Sequence, residues 1–171
     1  IFTWLPSLLV KEGYSIVQSF EYVLIMILAQ LPGYLVAAWL VEKLGRKPTL
    51  AGFIGMCAIS AYFFGQSGSV TEIVIWGCLM SFFNLGAWGV LYTYTPEQYP
   101  TNIRAFGSGW AGAVGRIGGI AAPFAVTHLM GMPNGFSYVF TMFTAVLVAV
   151  AIVILVLGEE TKGKTLESMG L

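Results

Sequence analysis

Phe136-Ser-Tyr-Val-Phe-Thr-Met-Phe-Thr-Ala-Val-Leu-Val-Ala-Val-Ala-Ile-Val-Ile-Leu-Val-Leu157 runs without a single charge, and beyond the turn at Thr141 it is almost pure Ala, Val, Ile and Leu. A helix rises about 1.5 Å per residue, so a stretch of this length crosses the roughly 30 Å hydrocarbon core of a bilayer. Nothing in it offers a partner to a polar ligand. It reads as a transmembrane helix that faces lipid or other helices.

Working outward, five more apolar segments can be marked: residues 1–10, 20–41, 48–65, 72–94 and 105–130, with 136–157 the sixth. The first is cut at its front, since the chain opens on Ile-Phe-Thr-Trp, and the chain is read as a fragment beginning part-way through a helix. The connections are short and carry turn formers such as Gly-Arg-Lys-Pro and Gly-Met-Pro-Asn-Gly. Residues 1–157 thus form one transmembrane domain and residues 158–171 a polar tail. Composition agrees: 57% of residues are hydrophobic, 9% are charged and the mean hydropathy is +0.82. A soluble domain carries about a quarter charged residues to solvate its surface. The fold class is therefore an all-α membrane bundle of six spans. A net charge of zero offers no basic field for nucleic acid.

Alternating spans place the loops at 42–48 and 95–104 on the same side as the tail. That side holds Lys43, Arg46, Lys47, Arg104, Lys162 and Lys164, whereas the other holds only Lys11. Basic residues collect on the cytoplasmic side, so these loops and the tail are cytoplasmic and the membrane is the cell membrane. Trp4, Tyr22, Tyr94 and Tyr138 stand near segment ends, as interfacial aromatics do.

Polar residues inside the spans are few and patterned. The fourth segment carries Ser81, Asn84, Trp88, Tyr92 and Thr95 at steps of three or four. The second carries Gln30 and Tyr34, and the fifth Gly109, Gly112, Arg116, Pro123 and Thr127 on one face. Polar groups in hydrocarbon need partners or water. Three stripes fit a shared wet cavity; the alternative is hydrogen bonding between helices. Gly52, Gly55, Ala58 and Ala61 give the third segment a small-residue face for close packing.

Arg116 stands out. It lies about eleven residues into its segment, roughly 17 Å from the cytoplasmic end and so near the midplane. Residues 105–157 contain no acid. A guanidinium at that depth costs about 2.5–3.5 kcal/mol unless it faces protein, water or an anion. Its planar fork matches a carboxylate. Arg116 therefore binds an anionic solute, pairs with an acid in the other half, or caps exposed carbonyls.

Three motifs carry a resemblance to the major facilitator superfamily. Ala38-Trp-Leu-Val-Glu42-Lys43-Leu-Gly45-Arg46-Lys47 resembles its loop signature, with Ala38 where Gly is usual. Glu97-Gln-Tyr-Pro100-Thr101-Asn-Ile-Arg104 resembles the link between its tenth and eleventh helices in sugar-porter-like and organic-ion members. Glu159-Glu160-Thr161-Lys162-Gly163-Lys164-Thr165-Leu166 resembles the tail after the twelfth. Gln30-Leu-Pro32-Gly33-Tyr34 and Gly115-Arg116-Ile-Gly118-Gly119 look closest to the branch that holds bacterial niacin and aromatic-acid permeases.

The resemblance implies helices seven to twelve of a twelve-helix carrier, with the first six-helix half as partner. It implies rocker-switch transport of a small organic anion, such as a nicotinate-like or aromatic carboxylate, with sugar or organic cation as the alternative. The substrate residues would be Arg116, Asn84, Trp88, Tyr92, Gln30 and Tyr34. Glu42, Arg46, Glu97, Arg104 and Glu160 would form a cytoplasmic gate, partly across the two halves; local capping and lipid anchoring are the plain alternative. Every acid lies at a membrane boundary or in the tail, Glu21 and Glu72 at helix starts. In a proton symporter the buried proton carrier would then be in the other half.

Other classes fare worse. Ser108 and His128 share one segment twenty residues apart, about 30 Å, and cannot form a catalytic dyad. There is no H-E-x-x-H motif or acidic metal cluster, so no enzyme, metal or cofactor is expected. A channel would want a charged ring or a carbonyl filter, and no such repeat is visible.

The topology yields a direct test. With single cysteines and an impermeant reagent on intact cells, position 134 labels and position 162 labels only after the membrane is opened. The reverse pattern would invert the molecule.

Overall fold

The computed structural model describes residues 5–163. Within them the chain forms helices α1 (Leu5–Lys11), α2 (Ile16–Leu28), α3 (Gln30–Leu44), α4 (Arg46–Gly65), α5 (Val70–Glu97), α6 (Arg104–Met130) and α7 (Gly135–Leu157), and no strand is among the described residues. α2 and α3 together make one long apolar span, so the six expected segments are all present as helix, five of them long enough to cross a bilayer. Trp4, Lys164, Thr165 and Leu166 lie outside the described residues.

Local sequence sets the ends. Ser15 caps α2, accepting from the Gln18 amide while the Gln18 side chain accepts from the Ser15 N–H, a reciprocal box. Ser69 caps α5 by accepting from the Glu72 amide, without the reciprocal bond, while the Glu72 carboxylate accepts from the Gly68 N–H at 2.9 Å. Gly45 ends α3 and starts α4 at φ 105°, a left-handed region that L side chains avoid. Glu21, expected at a helix start, instead lies in the second turn of α2, because Ser15 caps the helix earlier than the apolar run begins.

The second segment departs from one unbroken run over 20–41. It is longer at both ends and divides at Ala29 (φ −65°, ψ −14°). Pro32 explains the break. It has no N–H for the Leu28 carbonyl, and its ring crowds that same carbonyl. Pro96 and Pro123 also lie inside helices, yet those helices continue through them.

α4 is the central post, packed between α5 and α7, while α3 packs on α5 and α1 on α2. More than half of the apolar window of α4 is buried (56%), against 6% for α6, which touches only the edges of α5 and α7. Two apolar clusters fill the bundle. One, at the end away from the tail, gathers Leu5, Leu9, Met26, Phe64, Met80, Phe136 and Phe140. The other, at the tail end, gathers Ala37, Leu50, Phe53, Ile54, Val90, Tyr94 and Ala151. The Thr144 hydroxyl lies 3.2 Å from the Ala58 carbonyl and 2.9 Å from the Phe140 carbonyl, stitching α7 to α4.

The small-residue face of α4 is only half used. Ala58 and Ala61 are buried, but Gly52 and Gly55 have open space around them. The close approach occurs elsewhere. A Cβ at Gly33 would stand 2.2 Å from the Phe82 carbonyl oxygen, and one at Gly86 would stand 3.0 Å from the Gly33 carbonyl oxygen. α3 and α5 therefore meet backbone to backbone. Without water to expel, such contact is what holds membrane helices together.

These two kinds of glycine should respond oppositely to a methyl group. Gly33→Ala forces the helices apart and should cost about 1–3 kcal/mol, as overpacking does. Gly52→Ala meets nothing and should gain up to about 1 kcal/mol of helix propensity. Thermal unfolding of the two variants in detergent checks both signs.

Candidate functional site

The candidate residues fall in two regions of the bundle: the middle of the spans and the end where the tail lies. Arg116 stands at the middle of α6, twelve residues from Arg104 and so ~18 Å in. It is exposed, and among the described residues no hydrogen bond or ion pair reaches it. Six glycines share α6 with it; at Gly107 a Cβ would meet the Tyr99 ring, but at Gly109, Gly112, Gly115, Gly118 and Gly119 it would meet nothing. The helix thus presents a guanidinium and a smooth backbone away from its own bundle.

On α5, Trp88 and Tyr92 lie with ring centroids 5.3 Å apart and planes tilted by 33°, and both are exposed. The Tyr34 ring of α3 lies against Gly89, where a Cβ would come within 2.6 Å of it. Tyr34 thus meets α5 beside Trp88 in sequence, but no ring contact joins it to Trp88 or Tyr92 among the described residues. Gln30 is half-buried at the start of α3.

The outer half of the same α5 stripe behaves differently. Asn84 turns to α4, its amide 4.0 Å from the Cys57 sulfur. Ser81 is fully buried, and its hydroxyl has no hydrogen-bond partner among the described residues. One stripe is thus covered over its outer part and open over its inner part. No hydrogen bond, ion pair or ring contact joins Arg116 to Asn84 or the aromatic group; it stands on a separate helix.

At the other end of the bundle, where α3 meets α4, the start of the tail folds back. The Glu160 carboxylate accepts from the backbone N–H groups of Arg46 (3.0 Å), Lys47 (3.1 Å) and Lys162 (2.9 Å). It supplies the N-terminal cap that Gly45 cannot, with a negative charge where the helix dipole favours one. Gly45 also leaves it room, since a Cβ there would be 2.7 Å from the carboxylate. Arg46 pairs with Glu97 at the end of α5: Nε lies 3.3 Å from Oε2, and Nη2 donates to Oε1 at 3.5 Å. The Thr161 hydroxyl donates to the same Glu97 carboxylate. Arg104 donates from Nε to the Pro96 carbonyl at 3.0 Å, capping the end of α5, while a buried Nη2 has no partner among the described residues. Glu42 is exposed.

Of the expected gate residues, Arg46, Glu97 and Glu160 form one cluster, Arg104 caps a neighbouring helix end, and Glu42 stands apart. Four further participants were not singled out from the sequence. The Tyr94 hydroxyl donates to the Glu159 carbonyl at 2.8 Å, and Gln98 exchanges hydrogen bonds with the backbone of Glu159. Thr161 reaches Glu97, and Lys162 Nζ donates to the Lys43 carbonyl at 2.5 Å. The tail motif was the signal for the last two. Nothing local marks Tyr94, which reads as an interfacial aromatic. The hydroxyl of Ser108, far from His128, donates to the Arg104 carbonyl at 2.7 Å.

Comparison with known proteins follows from this arrangement. The family described as sugar (and other) transporter matches residues 2–170. The chain is 79% identical to a niacin transporter of Acinetobacter baylyi, over 100% of this chain and 39% of that protein. It is 56% identical to a Bacillus subtilis protein whose name assigns it provisionally to niacin or nicotinamide, over 98% of this chain and 42% of that protein. It is 32% identical to organic cation/carnitine transporter 7 of Arabidopsis thaliana, over 86% of this chain and 29% of that protein. The chain thus spans about two fifths of the length of the first two relatives.

The cap at α4 can be measured. Glu160→Ala leaves three amides without their shared acceptor and should cost about 1–3 kcal/mol. Lys162→Ala removes one exposed contact and should cost less than about 1 kcal/mol. Chemical unfolding in detergent ranks the two; equal losses would mean that Glu160 caps nothing of consequence.

Proposed function

The chain belongs to the sugar (and other) transporter family of the major facilitator superfamily, and on that premise we propose that it forms the second half of a secondary carrier for a small organic anion. The solute class is nicotinate or a related aromatic carboxylate. The observation that carries this reading is Arg116: a permanent cation near the bilayer midplane, exposed, with no partner among the described residues. A carboxylate fits its fork and relieves the cost of its burial in the membrane. Tyr34, Trp88 and Tyr92 supply flat apolar faces for an aromatic ring, and Gln30 and Asn84 supply amides for a ring nitrogen. A cationic solute would have to pass an unpaired guanidinium, which disfavours the organic-cation alternative.

In this reading the open face of α6, with its five glycines, packs against the six preceding helices of the transporter. The solute site lies between the halves, and rocking exposes it to either side in turn. The cytoplasmic cluster is the gate. Arg46, Glu97 and Glu160 tie the α3–α4 turn, the end of α5 and the tail into one block, Arg104 caps the end of α5, and the exposed Glu42 faces the other half. The loops at 42–48 and 95–104 and the tail are cytoplasmic in the cell membrane. No metal or cofactor takes part.

Arg116→Gln tests the reading in the transporter as the cell makes it. A charge-assisted contact contributes about 1.5–3 kcal/mol, so nicotinate binding should weaken roughly ten- to a hundredfold. Arg116→Lys keeps the charge without the fork and should restore only part of it. Nicotinamide, the neutral amide, should lose little on either substitution. Equal losses for acid and amide in a normally inserted protein would make Arg116 a structural residue.

A further inference from the structure

Phe82, Gly86 and Gly89 follow one another at steps of four and three, so they lie along one side of α5. α3 meets that side with two consecutive residues. The Gly33 backbone lies against the Phe82 carbonyl and against Gly86. One residue on, the Tyr34 ring lies against Gly89, where a Cβ would stand 2.6 Å from its Cε2 and 3.0 Å from its Cδ2.

These two contacts differ in what can yield. At Gly33 backbone meets backbone, and close approach of that kind is what holds the helix pair together. At Gly89 backbone meets the edge of a side chain, which can turn about its own bonds. Tyr34 thus has a backbone pinned by its neighbour and a ring whose place depends on the bare surface of Gly89. Ordinary carbon contacts lie at about 3.5–4.0 Å, so a methyl group at position 89 would drive the ring edge back by about 1 Å. With the helices held at Gly33 and Gly86, the ring takes up that shift.

Two observations make the ring more than packing. It is half exposed, at 51%, and its hydroxyl has no hydrogen-bond partner among the described residues. A tyrosine hydroxyl within a span calls for one. Tyr34 also stands eleven residues from Gly45, ~16 Å along its helix from the tail end, against ~18 Å for Arg116 along α6. A partnerless hydroxyl and a partnerless guanidinium therefore lie at similar depth on separate helices. We propose that Gly89 is a positioning residue: it sets where the Tyr34 ring stands and, through that ring, how well an aromatic carboxylate is held. The inference rests on the reading of this chain as half of a carrier for such a solute, and it names what fixes one of the groups in that site.

A double-mutant cycle in the transporter as the cell makes it, with nicotinate as the probe, tests the proposal. Gly89→Ala should raise the half-saturation constant about tenfold and leave the maximal rate within about twofold, because a turned ring alters contact with solute. In a Tyr34→Ala background the same substitution should change that constant less than about twofold, since no ring is left to displace. Equal losses in both backgrounds would overturn the positioning role, and so would an unchanged constant for Gly89→Ala alone. Should Gly89→Ala not insert, Tyr34→Ala should restore insertion; failure to restore it would make Gly89 a plain packing residue and overturn the proposal. With fluorotyrosine at position 34 and no solute, the fluorine resonance should move on Gly89→Ala, and an unmoved resonance would overturn the contact by itself. A transporter that does not bind nicotinate loses the solute reading, while the resonance still decides whether Gly89 sets the ring.

Discussion

In hydrocarbon no water stands ready to accept a hydrogen bond, and nearly every feature of this chain follows from that. Each backbone amide must find its partner within its own helix, which makes the spans helical before any tertiary contact forms. The same lack of water removes the hydrophobic force that would press helices together, since lipid is as apolar as leucine. What remains is close packing. It is strongest where side chains are absent, and Gly33 against Gly86 is that place. The α3–α5 pair, with α4 wedged beside it and α7 stitched on by Thr144, forms the rigid part of the molecule. α6, touching only edges, is left with its face open.

Exceptions to the rule are few. A guanidinium in the middle of α6 and exposed aromatic rings on α3 and α5 are costly placements in lipid, and each becomes reasonable beside water, solute or another helix. The division at Ala29 is a different exception, where Pro32 offers the Leu28 carbonyl no N–H.

At the tail end of the bundle water returns, and ordinary capping resumes. Glu160 reaches back from the tail to serve helix α4, because Gly45 has no side chain to do so and its positive φ admits no other residue comfortably. The tail is therefore structural as well as polar. Local capping is what the contacts show, and a gate, as proposed, would have to move the block that this cap builds.

Much of this was legible in the sequence. Apolar run length determines the spans, because it depends on transfer energies that each residue carries with it. Read from the sequence, the second span is unbroken over 20–41, with no division marked at Pro32, whereas Arg116 stands out by its charge within an apolar segment. The stripe on α5 shows where such reading stops. Ser81, Asn84, Trp88 and Tyr92 share one face by helical spacing, yet Ser81 is sealed in, Asn84 turns to Cys57, and only the two aromatics are open. Gly52 and Gly33 are likewise the same residue in similar apolar surroundings, but only Gly33 meets another backbone. Spacing fixes a direction around one helix axis. Which part of that direction is covered depends on where a second helix crosses, and that crossing is decided by side chains distant in sequence. Tertiary structure alone settled which glycines pack, which polar residues are sealed, and that the tail caps α4.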